Sequence, residues 1–252
     1  MLETQCRVVA VRTDDGLCPV YLHTPAGAGP WPGVLVFMDG PGIRPAMQEI
    51  AARLASAGFA VALPDLFYRA GPYAPVDPAI VWRDPALKAH HRVTYMETAS
   101  PEAVMRDTRA ILAVLTDHPD VADERFGVVG YCMGGHRAML AAGTYPESFA
   151  VAASYHGGGL ASDAPSSPHR LADRMLARIY VAGAIEDANF DDAMKARLER
   201  ALSAAGVDHR IETYPAHHGW VPRDMPAHDP VEAEHHWATL IPLLADELTP
   251  PR

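Results

Sequence analysis

Residues 126–136 read Phe-Gly-Val-Val-Gly-Tyr-Cys-Met-Gly-Gly-His. The β-branched pair Val128 and Val129 leads, as a strand, into Gly130-Tyr131-Cys132-Met133-Gly134, and helix-forming residues follow from Arg137 to Ala142. A Gly-x-nucleophile-x-Gly sequence between a strand and a helix makes a sharp elbow that exposes its central side chain. Glycines lack Cβ atoms, so the turn can be tight and the helix can approach the strand closely. The thiol of Cys132 then sits at a helix N-terminus, where the positive end of the dipole favours a thiolate. Most elbows of this kind carry serine. A cysteine narrows the candidates.

Working outward, the apolar runs alternate with helical patterns. Strands are expected over 6–12 and 19–23, joined by the turn signal Asp14-Asp15-Gly16, then over 33–38 and 59–63. After the nucleophile strand come further strands over 151–154, 179–182 and 210–214. Helical periodicity covers 47–57, stopped by Gly58, then 102–115, the elbow helix to about Gly143, 191–205 stopped by Gly206, and 231–246. The alternation implies an α/β fold, a mostly parallel twisted sheet of about eight strands with helices on both faces. With no repeat or linker, residues 1–252 read as one domain without a separate cap, because the 155–178 segment is too short to form one. The 64–100 segment has little clear periodicity and reads as a long functional loop walling a site open to small substrates.

Composition excludes several classes. The 252 residues carry 21 basic and 31 acidic side chains, a formal charge of −10. That argues against nucleic acid or an anionic membrane as main partner and leaves a small molecule. Three cysteines (Cys6, Cys18, Cys132) make no disulfide framework and suit a reducing compartment. No apolar run approaches a membrane span and no secretory leader is visible, so a cytoplasmic protein is expected.

A cysteine nucleophile needs a base within reach and a third group to orient that base. The loop after the 179–182 strand offers Glu186 and Asp187, of which Asp187 is preferred as the shorter acid further along the turn. The loop after 210–214 offers His217 and His218, of which His218 is preferred because Gly219 frees its backbone and Trp220 can fix the loop. The order nucleophile, acid, base is that of α/β-hydrolases. The oxyanion hole should use the Met133 N–H and one from Asp39-Gly40-Pro41-Gly42. Pro41 has none, so Gly40 is the second donor. Asp39 can either approach the thiol or cap its own turn. His156 lies at a strand end near the expected wall and could line the pocket. The histidines His217, His218, His228, His235 and His236 lack the spacing of a helical metal pair, so neither metal nor cofactor is expected.

These motifs resemble the dienelactone hydrolase family, from the Asp39-Gly-Pro-Gly loop through Gly-Tyr-Cys-Met-Gly-Gly to His218-Gly-Trp. The resemblance implies a Cys132–His218–Asp187 triad acting on an ester or lactone. It also implies an acidic side chain controlling the thiol at the Asp39 position, where well-known members carry glutamate. Those members hold a substrate carboxylate with two arginines. Arg92 and Arg223 are the nearest candidates here, and Arg69 and Arg83 compete for the first role. Tyr131, His156 and Trp220 complete the candidate substrate contacts. The rival readings are a general carboxylesterase or thioesterase using the same triad, and a redox-responsive or ligand-binding protein built on Cys132.

Overall fold

The computed structural model describes residues 2–122 and 125–248. Strands β1 (Thr4–Thr13) and β2 (Gly16–Pro25) form an antiparallel hairpin closed by Asp14-Asp15. The remaining strands are β3 (Gly33–Phe37), β4 (Ala60–Pro64), β5 (Phe126–Tyr131), β6 (Phe149–Tyr155), β7 (Arg178–Ala184) and β8 (His209–Tyr214). All eight join one sheet in the order β1-β2-β4-β3-β5-β6-β7-β8. β2 meets β4 antiparallel, and every pairing from β4 to β8 is parallel. The mostly parallel eight-stranded sheet expected from the alternation is therefore present, with the hairpin as its antiparallel edge.

Strands β3 to β6 are buried along their whole length, which is why they read as unbroken apolar runs rather than alternating ones. Helices α1 (Pro45–Ser56), α4 (Pro101–Thr116), α5 (Met133–Thr144), α6 (Asp192–Ala204) and α7 (Pro230–Leu248) cover them. β5 is enclosed on both faces. A Cβ at Gly127 would meet Leu244 and Leu248 of α7, and one at Gly130 would meet α5. No described helix is long and apolar enough to cross a membrane.

The 64–100 segment departs from the expected loop. It contains helices α2 (Pro78–Val81) and α3 (Pro85–Thr94) and two single 3₁₀ turns. Asp77 and Asp84 each cap a helix whose first residue is proline, a start signal that short, polar helices leave without supporting periodicity. α3 buries one side chain, His91, and exposes its neighbours.

Parallel pairing brings the strand ends into one row. Phe37 pairs with Gly130, Tyr131 with Tyr155, Tyr155 with Ala182, and Ala184 with Tyr214. The residues just beyond them, Asp39, Cys132, His156, Asp187 and His218, thus emerge along the carboxyl edge of the sheet, where open α/β sheets place their ligands. At the elbow, backbone packs on backbone. A Cβ on Gly130 would lie 2.0 Å from the Gly134 carbonyl oxygen, and one on Gly134 would lie 2.2 Å from that of Phe37. The clash must move main chain rather than a flexible side chain. Gly134→Ala is expected to cost on the order of 3 kcal/mol in urea denaturation. Gly206→Ala, where φ is +69° but nothing lies within 4 Å, should cost only about 1 kcal/mol of backbone strain. Equal costs at the two positions would contradict the close approach.

Candidate active site

Cys132 sits between β5 and α5 with φ 53° and ψ −115°, a conformation that L-residues rarely adopt. Such strain costs roughly 1–3 kcal/mol and persists only where its surroundings enforce it. Here the Cys132 amide donates to Tyr155 O at 3.0 Å, and the Cys132 carbonyl accepts from the Gly135 amide at 3.0 Å. The glycine contacts on either side leave the turn no alternative. The half-buried sulfur lines a cavity of about 640 Å³ that also includes Met133, Asp39, His156 and His218.

His218 Nδ1 lies 2.7 Å from Asp187 Oδ2. The other Asp187 oxygen accepts from the backbone and side-chain nitrogens of Asn189, both at 2.9 Å. Burial alone would raise the Asp187 carboxyl, but its bonds to His218 and Asn189 bring it below the usual carboxylate range. For His218, burial would disfavour the cation. The interactions with Cys132 and Asp187 outweigh it, and the imidazole is pushed up to about 10. The adjacent twins, Glu186 and His217, are both exposed. The structure thus brings Asp187 and His218 together and leaves their neighbours apart.

The two expected oxyanion donors have free amides: neither the Met133 nor the Gly40 N–H has an acceptor among the described residues. Met133 lines the cavity. Gly40 lies directly behind Met96 and Trp82, which do line it. The Gly40 carbonyl accepts from His91 Nε2 at 2.8 Å, and the His91 ring packs edge-on against Phe67 and Trp82. His91, the one buried side chain of α3, therefore ties the 64–100 segment to the Gly40 loop.

Asp39 also lines the cavity, but Arg44 takes up both its oxygens. Arg44 is itself buried and binds Asp224 through Nε at 2.6 Å and Nη2 at 2.9 Å. Burial pushes the Asp39 carboxyl up, and the neighbouring guanidinium opposes that rise. The carboxylate is committed to an ion-pair cluster rather than left to face the sulfur alone. The cluster carries no sequence signal, because although Arg44 is five residues from Asp39, Asp224 comes from the far end of the chain.

The candidate substrate contacts divide. Arg92 and His156 line the cavity. His156 is fully buried, has φ 41°, and neither ring nitrogen has a partner among the described residues. Burial, then the nearby His218 and His236, hold it neutral. Trp220 lies behind this wall, stacked on Tyr214 and edge-on to His156. Tyr131 is buried with its hydroxyl 3.0 Å from His236 Nε2. Two arginines lie elsewhere. Arg69 is bound to Asp15 and Asp107 beside the β1–β2 hairpin, and Arg223 pairs with Glu49 on a separate groove. Each has spent its charge on a local acid, which sequence spacing alone cannot reveal. Conversely, Trp82, His136 and Arg137 line the cavity without having been expected there.

Known proteins resemble this chain in sequence and fold. The model of the dienelactone hydrolase family matches residues 18–248. A Synechocystis sp. protein provisionally named a carboxymethylenebutenolidase is 26% identical over 237 residues, which span 90% of this chain and 91% of that protein. A carboxymethylenebutenolidase of Rhodococcus opacus is 31% identical over 142 residues, 56% of this chain and 50% of its own. The crystal structure of a provisionally named dienelactone hydrolase from Klebsiella pneumoniae subsp. pneumoniae shares the fold with a TM-score of 0.83 at 21% identity, covering 96% of this chain and 99% of that one. With the family match running over nearly the whole sheet and through every strand end that lines the cavity, this chain belongs to the dienelactone hydrolase family and is a dienelactone hydrolase-like hydrolase.

Proposed function

We propose that the chain cleaves a small ester or lactone by acyl transfer through Cys132. The observation that carries this reading is the His218–Asp187 pair at 2.7 Å, placed in the same cavity as a cysteine on a strained elbow. The Cys132 thiolate attacks the carbonyl carbon, and the carbonyl electrons move to oxygen. The amides of Met133 and Gly40 stabilise that oxyanion, the charge most in need of preorganised donors. Collapse breaks the bond to the alkoxy oxygen, which takes a proton from the His218 imidazolium. For a lactone, that oxygen stays tethered in the ring-opened acyl-enzyme.

Acylation then changes the base. The thioester sulfur carries no charge, so the largest influence raising His218 disappears. His218 returns toward the ordinary histidine range and becomes neutral, fit to take a proton from the hydrolytic water. Attack of that water on the thioester breaks the C–S bond and restores thiolate and imidazolium. Asp187 keeps the ring oriented throughout. One histidine thereby serves as acid first and base second, switched by the charge on its neighbour.

Cys132→Ala should lose turnover of small esters and lactones by on the order of 10³-fold, and Asp187→Asn by a comparable factor. Full activity of Cys132→Ala on every accepted substrate would sink the acyl-enzyme. The two roles of His218 have different pH dependences. In stopped-flow measurements with a chromogenic ester, the acylation burst should hold through neutral pH and decline only as His218 loses its proton near about 10. The following steady-state rate should rise from acid to neutral pH as His218 of the acyl-enzyme deprotonates. A single titration governing both phases would contradict the switch.

A further inference from the structure

Helix α3 buries a single side chain, and that side chain reaches the backbone of Gly40. His91 is 3% exposed, and its Nε2 donates to the Gly40 carbonyl at 2.8 Å. A carbonyl oxygen only accepts, so the proton of this bond is on Nε2. Three rings hold the imidazole in place. Phe67 and Trp82 meet it edge-on with centroids 5.8 and 5.5 Å away, and Tyr95 is tilted against it at 5.1 Å. The flanking His90 and Arg92 are exposed. α3 therefore turns its one buried group toward one main-chain oxygen.

Two peptide planes meet at Gly40. In the first, the Asp39 carbonyl accepts from the Gly42 amide at 3.1 Å. The Gly40 N–H belongs to that same rigid plane, so its direction is set with the Asp39 carbonyl. In the second, the Gly40 carbonyl accepts from His91, and Pro41 has no N–H to give. His91 makes the one hydrogen bond that this carbonyl accepts among the described residues. Glycine, having no Cβ, is the joint at which the two planes turn most freely against each other. The same 64–100 segment grips the loop again further on. The Tyr73 hydroxyl accepts from the Ile43 amide at 3.1 Å and donates to Asp65 at 3.0 Å.

We infer that His91 is a positioning residue of the oxyanion hole, which holds the Gly40–Pro41 peptide so that the Gly40 amide stays aimed at the developing charge. This rests on the acyl-transfer reading above and on the part it gives to Gly40. Lys88 and Arg92 of the same helix line the cavity, so one element both walls the substrate and steadies a donor. An oxyanion exists in the transition state and not in the bound ester. A loosened amide therefore slows turnover without weakening substrate binding.

Two variants separate the hydrogen bond from the packing. His91→Phe keeps an aromatic ring among Phe67, Trp82 and Tyr95 and removes the donor. His91→Gln keeps an N–H donor of similar reach and removes the ring. Outright loss of an oxyanion donor costs roughly 10²–10³ in kcat, and a misaimed one should cost less. With p-nitrophenyl acetate, His91→Phe should lower kcat by about tenfold and leave KM within about twofold. It should weaken inhibition by trifluoroacetophenone, whose adduct with Cys132 carries the oxyanion, by a similar factor. His91→Gln should hold both quantities within about threefold of wild type. His91→Leu, smaller and equally without a donor, supplies the comparison if phenylalanine is too large for the site. Intact turnover in the variants without a donor, a loss confined to KM, or a glutamine variant impaired more than phenylalanine would overturn the assignment. Full turnover by Cys132→Ala would instead overturn the acyl-transfer reading on which it rests.

Discussion

Everything at the active edge depends on a contact between main chains. The Gly130 and Gly134 backbones approach so closely, and Gly134 lies so tightly under Phe37, that no side chain fits at either position. This pins the start of α5 to the ends of β3 and β5 together. The chain can then leave β5 only through a residue with positive φ, and that residue is Cys132. The strain at Cys132 and the freedom of the Met133 amide have one cause. A helix that started a turn later would relax the cysteine and remove the amide from the cavity.

Around this fixed point the chemistry is assembled from strand ends, and each neighbour's charge is set by what it touches. Asp187 is held charged by His218 and the Asn189 nitrogens, and His218 is held charged by Asp187 and Cys132. His156 and His136 are held neutral by burial and nearby charged groups. One cavity therefore contains three histidines in two protonation states. Of the three, only His218 is bonded to an acid and shares the cavity with the sulfur, which is what the proposed proton exchange requires.

Much of the fold was legible because buried parallel strands announce themselves as apolar runs. The expected strands over 33–38, 59–63, 151–154 and 179–182 follow from such runs, those over 6–12 and 19–23 were joined by a turn signal, and β5 came from the elbow motif. The same logic found the loops that bear Asp187 and His218, since a site in such a sheet must lie just past a strand. What escaped was whatever depends on partners distant in the chain. α3 has no apolar periodicity because it buries one histidine, so its pattern is invisible without Gly40 to receive it. Arg69 and Arg223 read like substrate arginines until the acids that occupy them are seen.

The Arg44 cluster has a mechanical meaning. Asp39 stands immediately before the amide of Gly40, and Asp224 stands in the loop that follows His218. One buried guanidinium thus fastens together the loop that bears Gly40 and the loop that bears His218, the proposed oxyanion donor and the proposed acid and base. The two cannot drift apart independently, because separating them would strand an ion in a nonpolar interior. Distance between donor and base is thereby fixed by an electrostatic rivet rather than by the length of either loop. Both loops are then free to vary in sequence at their rims, where substrates differ, without altering the spacing on which the reaction depends.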